Sequence, residues 1–182
     1  GKHVIDLVHG RDFTADGTIL ERLDNGLVGA ITADSRGRLA IGGVTTVELR
    51  EADGEVLKVL TGGEEPFGPR IGNRVGDLAL TADGTRLVVL GADGRVTIWN
   101  LEDETCEVEH ELAAELGTVI ALSLSPADDT LALCAEDGTV ELWDPHAGTR
   151  TGTGPDVPGT VAGLAHAEDG TLPASAFTWQ VV

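Results

Sequence analysis

Short apolar stretches recur along the whole chain, each broken by Gly and Asp. Within them apolar and polar residues alternate, as in Val96-Thr97-Ile98-Trp99-Asn100. A period of two sends successive side chains to opposite faces of a strand, and sustained helical periodicity is nearly absent. The pattern therefore predicts many short strands. Asp-Gly follows them at Asp16, Asp53, Asp83, Asp93, Asp137 and Asp169. Gly accepts positive φ at low steric cost, as tight hairpins require, so the strands are expected to form antiparallel meanders.

The strands fall into a repeat. "DGRVTIWN" (Asp93–Asn100) and "DGTVELWD" (Asp137–Asp144) place the same turn, strand and tryptophan 44 residues apart. Aligning the turns gives three four-stranded units, at about 28–62, 75–112 and 119–153. "VAGLAHAEDGTLPASAF" from Val161 repeats the first two strands of a unit. "ADGTILERL" (Ala15–Leu23) matches "ADGEVLKVL" (Ala52–Leu60), which places Thr18–Leu23 as a fourth strand and His3–Val8 as a third. Each unit is a small sheet that must stack on neighbours to bury its faces, so the repeat predicts a stacked or ring-shaped array. The segments 161–182 and 2–24 are expected to complete one sheet between them.

Trp143-Asp144, the variant Trp99-Asn100, Ser125-Pro126 and the first-strand pattern from Val75, Val119 and Val161 resemble the WD-repeat β-propeller family. The resemblance implies an all-β propeller of four-stranded antiparallel blades. The strands amount to about four blades, with the alternative that the chain is half of a larger ring, completed by a second copy as a homodimer or by more of a longer chain. Two departures stand out. No unit carries the family's Gly-His before its first strand, and the unit from Val28 has Arg50 where the tryptophan belongs.

Charge narrows the partners. The net charge is −19, from 31 acidic and 12 basic residues. Such a field repels nucleic-acid backbones and anionic lipid, and it suits a basic partner or simple solubility. Neither an apolar run of spanning length nor a signal peptide is visible, and a cytoplasmic setting is expected. Cys106 and Cys134 make no disulfide framework, and Cys134 within "LALCA" reads as a small buried hydrophobe.

Reactive constellations are weak. His3, His9, His110, His146 and His166 are scattered, without the spacing of a zinc site. Hairpin geometry accounts for the Asp-rich turns without calcium. No nucleophile elbow surrounds Ser35, Ser123, Ser125 or Ser175, and no phosphate-cradling loop is present. No cofactor, metal or catalytic residue is assigned. Trp99 and Trp143 read as packing residues between blades. The long loop Thr61–Arg74 holds Phe67, Arg70 and Arg74, an aromatic beside two cations, which makes it the candidate contact surface. The family resemblance implies a non-enzymatic scaffold that presents loops to a protein or peptide. The alternatives are a ligand-binding or hydrolytic propeller with a site in its channel, and the sensor or targeting part of a larger multidomain protein.

Overall fold

The computed structural model describes residues 3–6, 11–14, 19–22, 29–43, 46–61, 75–102, 108–112, 117–155, 160–172 and 174–177. These form seventeen strands. The first sheet holds β1 (His3–Asp6), β2 (Arg11–Thr14) and β3 (Ile19–Arg22). Three four-stranded blades follow. The first is β4 (Ala30–Ala33), β5 (Leu39–Gly42), β6 (Thr46–Arg50) and β7 (Val56–Thr61). The second is β8 (Val75–Leu80), β9 (Arg86–Gly91), β10 (Val96–Asn100) and β11 (Val108–Leu112). The third is β12 (Val119–Leu124), β13 (Leu131–Ala135), β14 (Val140–Asp144) and β15 (Thr149–Thr153). A two-stranded sheet of β16 (Thr160–Leu164) and β17 (Ala174–Phe177) ends the series.

The three whole blades are antiparallel meanders of four strands. The Asp-Gly pairs make the hairpins. In Ala135–Thr139 the Gly138 amide donates to the Ala135 carbonyl and the Ala135 amide to Thr139, with φ of 90° at Gly138. That is a three-residue loop closed by a left-handed residue, where a side chain would be strained. The Asp137 carboxylate takes the Thr139 amide at 2.9 Å, so the acidic residue fixes the turn it sits in.

A register shift recurs at one place in every blade. It falls at Leu49/Arg50, Ile98/Trp99 and Leu142/Trp143, between the third and fourth strands. A second falls near the start of β8, β12 and β16, at Val75/Asp77, Val119/Ala121 and Val161/Gly163, while β4 pairs with β5 in unbroken register. Bulges sharpen local twist, and here they repeat with the blade.

First strands pack against first strands, β4 on β8, β8 on β12 and β12 on β16, which makes them the inner edge of the stack. Apolar side chains fill the gaps between sheets. Val47, Leu49 and Leu60 of the first blade meet Val75, Leu87 and Trp99 of the second. Val88, Val96 and Ile98 of the second meet Val119, Leu131 and Trp143 of the third. The core thus lies between blades.

The N-terminal segment differs from its expected strand order. Arg11–Thr14 pairs with β3, and His3–Asp6, expected beside β3, lies one place further along. Few residues separate β2 from β3 in sequence, and short closures cost least, which favours the nearer segment beside β3. The terminal strands form a sheet of three and a sheet of two.

Candidate interaction surface

The third strand of each blade ends in a side chain bonded to the residue two positions earlier. Trp99 Nε1 donates to Thr97 Oγ1 at 3.1 Å, and Trp143 Nε1 donates to Glu141 Oε2 at 3.1 Å. In the first blade Arg50 takes the tryptophan's place and donates to Glu48 Oε2 through Nη2 at 2.7 Å and Nε at 3.1 Å. Residues two apart share a strand face, which makes each pair possible. All six side chains are buried. Arg150 Nε also reaches Glu141 Oε1 at 3.1 Å, so the Glu141 carboxylate is neutralised as well as bonded. Trp99 and Trp143 lie in the apolar layers between blades, with no face left for a ligand.

One rim of the stack is built from the turns that link first to second strands. Asp34, Thr81 and Ser125 occupy equivalent buried positions there, and each holds its turn closed from inside. Asp34 Oδ1 accepts the Arg36 and Arg38 amides, and Oδ2 accepts Arg38 Nε at 2.7 Å. Burial works to raise the Asp34 pKa, but the hydrogen bonds and charge of Arg38 outweigh it and hold the carboxyl below its ordinary value. Thr81 Oγ1 donates to Asp83 Oδ1 at 2.7 Å. At Asp83, too, desolvation is opposed by stronger effects. Bonds from Thr81 and Thr85 and the nearby His146 pull the pKa down to about 2.

The turns are joined from blade to blade. Ser35 Oγ donates to the Ala82 carbonyl at 3.0 Å, and the Ala82 amide donates to Asp129 Oδ1 at 2.8 Å. Arg38 Nη2 reaches the Gly84 carbonyl at 2.7 Å. Further round, Ser123 Oγ accepts the His166 amide at 3.0 Å and lies 3.0 Å from His166 Nδ1. The hydroxyl donates to Nδ1 in the tautomer protonated on Nε2 and accepts from it in the other. Burial lowers the His166 pKa, with Asp128 opposing.

Beside these bonds lies an open groove of about 500 Å³ along the inner strands of all three blades. Leu78, Leu80 and Leu122 supply its apolar lining, and Ser35, Pro126 and Asp129 stand on its rim. Asp83, Asp129 and His146 draw together close by, each offering a ligating atom within 4.8 Å of the others. The sequence spacing of the histidines gave no sign of that grouping. Phe67, Arg70 and Arg74 lie outside the described residues. The rim was not singled out from sequence, although the alignment of Asp34, Thr81 and Ser125 at the end of successive first strands marks it.

Stacked four-stranded meanders with inner first strands define a β-propeller architecture. Residues 106–144 match the WD40 family (WD domain, G-beta repeat). The matched segment runs from the outer strand β11 through β12, β13 and β14, so one sequence repeat spans two blades. Over 74 residues the chain is 31% identical to protein groucho of Drosophila melanogaster, covering 41% of this chain and 10% of groucho. Among solved structures, the WD40 β-propeller domain of Doa1 superposes with a TM-score of 0.66 at 17% identity, over 91% of this chain and 53% of that one. The chain therefore has the WD40 propeller fold, and it spans about half of the Doa1 chain and a tenth of groucho.

Proposed function

We propose that the chain is a non-enzymatic scaffold that binds a protein or peptide segment along the turn rim and its groove. The observation that carries this is the bonding of the rim across blades, from Ser35 to Ala82 to Asp129, beside an apolar groove. Binding surfaces gain affinity when they are held rigid before the partner arrives. The serines beside the groove are engaged in structure. Ser125 is buried and accepts the Ala127 amide, and Ser123 accepts a backbone amide besides its contact with His166.

The partner segment is basic. The chain's net charge of −19 favours cations, and Asp83 stays ionised down to acid pH. A second reading, pairing of two copies into a larger ring, rests on the terminal sheets, which hold three and two strands among the described residues. Light scattering separates a dimer from a monomer. The interaction reading is tested by hydroxyl-radical footprinting of the chain with a captured partner. Protection of Ser35, Pro126 and Leu124 supports it, and protection confined to other faces overturns it.

A further inference from the structure

Asp83, Asp129 and His146 come from three turns of two blades. Asp83 sits in the β8–β9 turn, Asp129 in the β12–β13 turn and His146 in the β14–β15 turn. We propose that they form a divalent-cation site, with zinc as the best fit, that clasps the second and third blades together at the rim.

The donor set decides the class of ion. One imidazole nitrogen and two carboxylates suit zinc and its borderline neighbours. Calcium takes six to eight oxygens, which three side chains including a histidine do not provide. Asp83 and His146 are exposed, so water has room to fill the remaining position. Donor atoms bound to one zinc lie roughly 3.3 Å apart, so each side chain needs to close by about an ångström or less from the present spacing.

The ligands are already held from behind. Asp83 accepts from Thr81 Oγ1, the Thr85 amide and Thr85 Oγ1. Asp129 Oδ1 takes the Ala82 amide, while its Oδ2 lies 4.0 Å from His146 Nε2, beyond hydrogen-bond length. The His146 amide donates to Asp144 Oδ1 at 2.8 Å. Such outer contacts aim metal ligands and hold them in place.

The placing of Asp129 is unusual within the repeat. Its φ is 56°, and among the described residues it is the one non-glycine with positive φ. The turns that match it close on Gly37, Gly84 and Gly170. The third blade thus carries a carboxylate where its neighbours use the residue that fits the backbone best. That carboxylate faces another across the blade boundary in a strongly acidic chain, and a cation relieves the repulsion.

The test uses the full chain, stripped with chelator, with zinc added in calorimetric titrations and thermal melts. The site predicts one high-affinity zinc per chain. At a zinc concentration about a hundred times the dissociation constant, the melting temperature rises by roughly 5–10 °C. Asp129→Gly suits the local backbone, so it folds, and it weakens zinc binding at least tenfold. His146→Gln weakens it equally, and His166→Gln, a control for imidazoles elsewhere, leaves it unchanged. The proposal is overturned if the parent shows no saturable zinc-dependent shift. It is also overturned if Asp129→Gly and His146→Gln bind zinc as tightly as the parent.

Discussion

Arg50 donates to Glu48 from the strand position at which Trp143 donates to Glu141, at 2.7 Å against 3.1 Å. A guanidinium thus takes over the polar role of an indole, and both acidic partners are almost fully buried. The apparent loss of a repeat signature in the first blade is a change of side chain within a conserved geometry of the blade. Arg50 also reaches the Gly54 carbonyl in the following turn at 3.4 Å.

Truncating one member of this buried pair takes a charge-assisted hydrogen-bond partner from the other. Arg50→Ala is expected to cost about 3–5 kcal/mol, whereas the double change Glu48→Leu, Arg50→Met costs far less. Urea melts of both variants check this. Equal losses would mean that packing, and not the loss of the ion pair, sets the cost.

The two tryptophans are expected to differ. Replacement by Phe keeps most of the apolar contact and removes the indole donor. Trp99→Phe frees a neutral hydroxyl, Thr97, at a cost of roughly 1 kcal/mol. Trp143→Phe removes a donor from a buried carboxylate and costs roughly 1.5–3 kcal/mol, softened by Arg150. Trp143→Ala also opens a cavity between the second and third blades and costs about 3–5 kcal/mol. Parallel denaturation curves give the order.

His166 predicts a dependence on mildly acid pH. Burial holds its folded pKa below the ordinary 6.5, with Asp128 opposing, so the unfolded chain binds more protons between the two values. The stability tied to this group is complete above pH 6.5 and drains away as the pH falls toward the folded value. Melting temperatures between pH 7.5 and 5.5 should fall less steeply for His166→Gln than for the parent. Parallel slopes would remove His166 from the account.

Asp83 acts at lower pH. Its pKa lies near 2 in the fold against an ordinary 3.8, so its contribution is present above about pH 4 and is lost as the pH falls through 2. Asp83→Asn should therefore be less stable than the parent at pH 6, with the gap closing toward pH 2. A gap that stays constant across this range would mean that the shape of the turn matters and its charge does not.

Much of the fold was legible because the physics is local. Asp137-Gly138 specifies its hairpin through one carboxylate and one left-handed backbone, and the alternation from Val140 to Trp143 specifies the strand after it. The N-terminal order was harder, since Arg11–Thr14 carries too weak an alternation to outrank "HVIDLV" on pattern alone. The rim was harder still. Asp83, Asp129 and His146 are brought together by the angle between blades, which no spacing along the chain encodes. Phe67, Arg70 and Arg74 stand out in a linear reading because an aromatic lies near two cations.

The most direct test of the rim as the binding surface is an affinity measurement with a purified partner. Ser35 and Pro126 are exposed on the groove's edge, so arginine at both positions crowds the surface without entering the core. The account predicts that Ser35→Arg, Pro126→Arg binds at least tenfold more weakly while its melting temperature stays within about 2 °C of the parent. Unchanged affinity in that variant would contradict it.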